Sequence, residues 1–135
     1  MDDEKIKEIQ LWLIKSQHDL GSASRLMEGD EPYLDTAVYH CQQAVEKAIK
    51  AYLIYRNIIF EKTHNLTALL ASCIPLDFQF TKWENVAEML TPYAVDFRYP
   101  GDDMEPKRNE AEQALISAKA FVDFVIKLLP DEVRM

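Results

Sequence analysis

The sequence predicts an all-α fold: an antiparallel up-and-down four-helix bundle with one extra short helix. Three observations predict it. Apolar residues recur at steps of three and four in four separate stretches, the period of a helix with one buried face. Only 3 Gly and 6 Pro occur in 135 residues, too few turn signals for an all-β protein. The stretches are joined by short connections, which favours antiparallel neighbours. The length suits one domain, residues 1–135, with a sizeable core. Hydrophobic residues make up 48% and charged residues 28%, the balance of a globular chain rather than a disordered one.

The first helix is expected over residues 4–28. Ile6, Ile9, Leu13, Leu20, Ala23 and Met27 keep helical spacing, with Ser16 in register and Trp12 beside the seam. Gly21 weakens it by about 1 kcal/mol relative to Ala. Either a close crossing against another backbone or plain tolerance would explain that glycine. Gly29-Asp30-Glu31-Pro32 ends the helix.

The second helix, Asp35 to Arg56, contains no Gly and no Pro, and Asp35 is the expected N-cap. Ala37, Cys41, Ala44, Ala48, Ala51 and Tyr55 share one face. Val38, Val45, Ile49 and Tyr52 form a second apolar stripe beside it. A helix with two apolar stripes is nearly surrounded by partners, and the alanines let a neighbour come close. This helix is therefore placed at the centre.

Its remaining face is narrow and polar: His40, Gln43, Lys47 and Lys50 fall within about a quarter of the circumference at 100° per residue. From Thr36 to Phe60 the chain carries Lys47, Lys50 and Arg56 against Glu46 alone, while the whole chain has net charge −8. That face is either an anion site or a solvated lysine edge whose stems cover apolar surface.

A short helix over 66–73 comes next, stopped before Pro75. Thr81-Lys82-Trp83-Glu84 has the form of a capping box. It is expected to open a helix that Pro92 kinks and that ends near Phe97. Arg98-Tyr99-Pro100-Gly101-Asp102-Asp103 is a loop by its Pro-Gly pair. Pro106 suits the first turn of the last helix. There Ala111, Leu115, Ala118, Val122, Val125 and Leu129 form the most regular seam, and Phe121, Phe124 and Ile126 flank it as a candidate dimer surface.

The composition narrows the function. No apolar run approaches the roughly 18 residues of a membrane span. The N-terminus, Met1-Asp2-Asp3-Glu4, is the opposite of a secretory signal, so a cytoplasmic location is expected. The net charge argues against broad nucleic-acid binding but leaves room for a local basic site. Cys41 and Cys73 read as packed thiols. No Cys-x-x-Cys or His-rich cluster points to a metal, and no glycine pattern points to a phosphate loop or a cofactor. The pair Asp102/Asp103 reads as a solvated loop. No catalytic motif is strong. Arg98 and Tyr99, exposed between two helices, can grip a phosphate and stack on a ring, or Arg98 can pair with an acid to fix its loop.

Three segments carry a resemblance. His40-Cys-Gln-Gln-Ala-Val-Glu46-Lys47-Ala-Ile-Lys50-Ala-Tyr-Leu is similar to the central signature of the HEPN domain family. Lys62-Thr63-His64-Asn65-Leu66 resembles that family's Thr-His-Asp/Asn-Leu turn, and Arg98-Tyr99-Pro100 its Arg-Tyr-Pro loop. They stand in the family's order and span roughly residues 8–130. The resemblance implies a prokaryotic helical bundle that forms a homodimer and accompanies a minimal nucleotidyltransferase. It also implies a nucleotide (ATP or AMP) or RNA as ligand. On this reading the phosphate site comprises Lys47, Lys50, Arg98 and Tyr99, with Gln43 and His64 as possible additions. Many HEPN proteins are ribonuclease toxins of toxin–antitoxin systems that use an Arg followed four to six residues later by a His. Here Arg98 is followed by no His at all, since the last one is His64. The expected role is therefore a non-catalytic nucleotide- or partner-binding module. A variant ribonuclease built from Arg98, Tyr99 and His64 is the alternative.

Overall fold

A computed structural model describes residues 1–101 and 105–134. The pair Asp102/Asp103 lies outside the described residues. Among the described residues there is no strand. Five α-helices make up the fold: α1 (Asp3–Leu26), α2 (Leu34–Tyr55), α3 (Leu66–Cys73), α4 (Glu84–Leu90) and α5 (Arg108–Leu128). Short 3-10 turns cover Phe78–Trp83, Thr91–Ala94 and Asp131–Val133. Among the described residues no helix is long and apolar enough to cross a membrane.

α2 is the centre of the bundle, as its two stripes predict. It packs against α1, α3, α4 and α5, most extensively against α1. Ala37, Val38, Cys41, Ala44, Ala48, Ile49 and Ala51 are completely buried. Each apolar side chain so enclosed contributes on the order of 1.5–3 kcal/mol, less for alanine. Both cysteines are buried and free. Burial pushes each thiol up to about 12; at Cys41 the Lys119 ammonium opposes the shift and the Asp19 charge adds to it.

Several helix ends differ from expectation. α2 begins one residue early, at Leu34. Asp35 therefore sits in the first turn, where its charge favours the positive helix end. Its carboxylate accepts from Thr36 N–H at 2.8 Å. α1 is capped by Asp2, which accepts from Lys5 N–H at 2.8 Å. A Cβ added at Gly21 would meet nothing within 4 Å, so no close crossing explains it. α5 starts at Arg108, two residues past Pro106, and Arg108 ties it to the end of α1 through the Met27 carbonyl at 3.2 Å.

The fourth place in the bundle is filled by a broken element rather than one kinked helix. Asp77 caps a 3-10 turn by accepting from Gln79 N–H at 3.0 Å, which puts Thr81 inside a turn. The Thr81 hydroxyl is buried without a partner, so the capping box does not form. Starting at Asp77 carries Phe80 into the core, 4.8 Å from Tyr52 and 5.1 Å from Phe124 between ring centroids. Phe121 and Phe124 also meet Trp83. These rings are thus occupied within the chain, and the reason for offering α5 as a dimer surface falls away. At the far end Pro92 lacks the N–H that an α-helix needs. α4 stops at Leu90, and Thr91 compensates by donating to the Ala87 carbonyl at 2.7 Å and accepting from Leu66 N–H at 3.1 Å.

Candidate functional site

The polar face of α2 is not a solvated edge. Gln43 and Lys50 are each 7% exposed and Glu46 3%, because α1 and the segment after α2 fold over them. Buried charge is tolerated only when paired and hydrogen-bonded. Two carboxylates do the pairing, and each holds one lysine and one histidine.

The first is Asp19. Its two oxygens lie 2.7 Å from Nδ1 of His40 and 2.7 Å from Nζ of Lys47. α1 delivers Asp19 from its buried seam, three residues after Ser16, whose hydroxyl donates to the Ala44 carbonyl at 2.7 Å. That bond fixes α1 against α2 at the point where Asp19 meets the two α2 side chains. With Nδ1 of His40 committed to the carboxylate, Nε2 has no hydrogen-bond partner among the described residues.

The second is Glu46. Lys50 Nζ donates to it at 2.9 Å, and His64 Nδ1 lies 2.8 Å away. Gln42 donates to it at 3.2 Å and also to the His64 carbonyl at 2.8 Å, so the segment after α2 is held by side chain and backbone together. Burial pushes the Glu46 carboxyl pKa up. The hydrogen bonds from His64, Lys50 and Gln42, with the Lys50 charge, outweigh that and hold it below its ordinary value. The Lys50 ammonium also sits over the rings of Trp12 and Phe60, 5.7 and 5.6 Å from their centroids.

Arg98 reaches α2 at Tyr39, about two turns before Lys47 and three before Lys50. Its guanidinium lies 4.0 Å from the centroid of the Tyr39 ring and 5.6 Å from that of Tyr99, and Nη1 donates to the Ala94 carbonyl at 2.9 Å. The Tyr39 ring meets the His40 ring edge-on, 5.4 Å between centroids. Phe97, just before Arg98, has φ +69°. A bulky residue in the left-handed region is strained, and such strain clusters where a loop must hold a set geometry. Of the expected site residues, then, Arg98, Tyr99 and Lys47 belong to one surface. It runs from the loop through Tyr39 and His40 to Asp19. Lys50 and Gln43 belong to the enclosed Glu46 cluster, which His64 joins from the surface. Among the described residues Arg98 pairs with no acid: its partners there are rings and a carbonyl.

Asp19, Tyr39 and Glu46 were missed as site residues. Asp19 carried a signal, because it interrupts the apolar seam of α1 midway between Ser16 and Ala23. Glu46 carried one too, at four residues from Lys50.

The family model for the HEPN domain matches residues 9–129. The chain belongs to the HEPN domain family. Two solved structures share this HEPN fold. TT1696 from Thermus thermophilus superposes with a TM-score of 0.77 at 29% identity, over 90% of this chain and 98% of that one. ST0689, an archaeal HEPN homologue, gives 0.70 at 21% identity over 89% and 96%. In sequence, 57 residues are 44% identical to "Putative toxin MJ1304" of Methanocaldococcus jannaschii. That stretch is 42% of this HEPN chain and spans only 36% of the relative's length.

Proposed function

We propose that this HEPN chain is the toxin-like member of a two-protein pair, a module that binds a nucleotide or RNA phosphate and engages a minimal nucleotidyltransferase as its companion. One observation carries the reading: Arg98 is presented by a strained residue onto Tyr39, beside a histidine and a lysine that one buried carboxylate positions. The surface offers a fork of guanidinium donors for a phosphate, ring faces for a base, and the Lys47 ammonium two turns along α2. Membership of the HEPN family and the toxin name of a partial relative support the pairing.

The test is calorimetric titration of ATP and AMP into wild type, Lys47→Ala and Arg98→Ala at two salt concentrations. A charged contact is worth about 1.5–3 kcal/mol. Loss of Arg98 should therefore weaken binding roughly ten- to a hundredfold. Absence of binding by wild type at millimolar nucleotide rejects the ligand class. Equal binding by all three proteins moves the site elsewhere. Purification from the native host should recover a nucleotidyltransferase; recovery of the chain by itself counts against the companion role.

A second reading is favoured by the His40–Asp19 pair. A histidine held at Nδ1 by a carboxylate presents Nε2 for proton transfer. This supplies, from α2, the imidazole that the sequence lacks after Arg98. On this reading the chain is a variant ribonuclease, with His40 rather than His64 beside Arg98. His40→Asn and Arg98→Ala should each lower cleavage of tRNA or mRNA by about 10²–10⁴-fold, the usual contribution of a positioned acid–base group. Cleavage that survives both changes comes from a contaminant.

A further inference from the structure

A cavity of about 470 Å³ opens between the end of α4, the turn that follows it and the first turns of α5. Met89, Tyr93, Asn109, Glu110 and Gln113 line it. Its size lies within the roughly 300–1,000 Å³ of small-ligand sites. The cavity and the Arg98 surface share one turn. Tyr93 meets Phe97 at 6.2 Å between ring centroids, and the next residue, Ala94, accepts from Arg98 Nη1 at 2.9 Å.

α4 and the turn contribute a thioether and a phenol ring; α5 contributes the polar groups. Glu110 is exposed and has no ion-pair partner among the described residues. The Gln113 amide donates to Ser117 Oγ at 3.1 Å, which leaves its carbonyl oxygen to accept. Burial pushes the Tyr93 phenol pKa up and the Glu110 charge adds to it, so the hydroxyl near that carboxylate stays protonated at neutral pH. A carboxylate only accepts. Such a lining repels a phosphate and suits a flat, uncharged ligand whose edge carries adjacent donors. Among the nucleobases guanine has that edge. Its N1–H and 2-amino group stand side by side and match the two oxygens of one carboxylate, while O6 can accept from an amide or a phenol. Adenine and cytosine set a donor beside an acceptor, and uracil sets one donor between two acceptors. Unstacked bases are read in this way, by their Watson–Crick edges and against apolar or aromatic faces.

We propose that this cavity takes the guanine base of the nucleotide or RNA whose phosphate Arg98 binds, with Glu110 as the residue that selects it. The proposal rests on the reading of the Arg98 surface as a phosphate site. It adds what that surface lacks, a means of telling one base from another.

The test is calorimetric titration of GMP, IMP and AMP into wild type, Glu110→Gln and Glu112→Gln. Glu112 is an exposed acid on another face of α5. Wild type should bind GMP about tenfold or more tightly than AMP; IMP, which lacks the 2-amino group, should fall between them. Glu110→Gln should abolish the ratio of GMP to AMP affinity, because an amide offers one acceptor and one donor and so suits the adenine edge. Glu112→Gln should leave it unchanged. The ratio cancels the general effect of removing a negative charge. Both positions are exposed, so circular dichroism should show unchanged folding. A short oligouridine carrying one guanosine, set against the same strand carrying one adenosine, gives a second pair. A Glu110-dependent preference in either pair supports the pocket and names the source of the base. Equal affinities within both pairs, or a preference that survives Glu110→Gln, overturn it. If these ligands then still bind and Arg98→Ala abolishes the binding, the phosphate reading stands without the base pocket. A guanine preference that needs Glu110 but is indifferent to Arg98→Ala keeps the pocket and rejects the phosphate reading.

Discussion

Asp19 and Glu46 solve the same problem in two places, and they solve it differently. Each is a carboxylate inside the bundle that holds one lysine and one histidine. Around Glu46 the lysine side chain is 9% exposed and two glutamines join the network, so the carboxylate and its ammonium are enclosed, while the His64 side chain, 67% exposed, reaches them from the surface. Around Asp19 the lysine and histidine side chains stay 23% and 26% exposed, and no glutamine takes part. A closed, fully bonded cluster clamps the segment after α2 to the helix. An open one leaves an ammonium and an imidazole nitrogen at the surface beside Arg98. The same residue types thus form a clamp in one place and a candidate binding surface in the other, and the decisive difference is how many donors surround the carboxylate.

The largest expected effect tests that difference directly. Glu46→Gln leaves the Lys50 ammonium buried without its counter-charge. Removing one partner of a buried pair costs about 3–5 kcal/mol. Asp19→Asn should cost less, about 1–3 kcal/mol, because Lys47 can turn toward water. Urea denaturation of the two variants measures both. Equal losses would erase the distinction between clamp and open surface.

A smaller effect is the response to acid. The Glu46 carboxyl is held below its ordinary value in the folded chain, so the unfolded chain binds the proton first as pH falls. The stability it contributes is fully present above the unfolded value of about 4.5 and is lost as pH falls through the lowered folded value. Wild type should therefore lose stability below about pH 4.5, and Glu46→Gln should show a shallower loss over the same range. A variant with the wild-type acid slope would mean that other carboxylates set it.

Much of this arrangement was legible in the sequence. The alanine stripe placed α2 at the centre, and the seam of α5 and the span Leu66–Cys73 followed from spacing and proline stops. The broken fourth element was not legible. Thr81 and Glu84 satisfied the pattern of a cap, but burial of Phe80 among Tyr52, Phe121 and Phe124 favoured an earlier start at Asp77, and tertiary packing overrode the local signal. At the site, the lysines at positions 47 and 50 pointed to one shared surface. Three residues of separation put them on one side of α2, as expected. Their counter-ions could not be read from α2, since Asp19 comes from α1 and the contact spans 28 residues. What separates the lysines in the structure is their surroundings, which spacing within one helix does not encode.

The smallest effect on stability is also the sharpest test of the open cluster. Lys47→Met keeps the stem that covers apolar surface and removes only the ammonium. The Asp19 carboxylate retains His40, and the lysine side chain is partly exposed, so the change should cost no more than about 1 kcal/mol, the range of exposed ion pairs. If the surface beside Arg98 binds an anion, the same variant should lose affinity about tenfold and show a weaker dependence on salt. Thermal unfolding and nucleotide titration on one preparation give both numbers. Lys50→Met should do the reverse: a larger loss of stability, because Glu46 loses its cation in a closed setting, with nucleotide affinity unchanged in the fraction that folds. A Lys47→Met protein that unfolds readily, or a Lys50→Met protein that keeps its stability but loses the ligand, would exchange the roles of the two clusters.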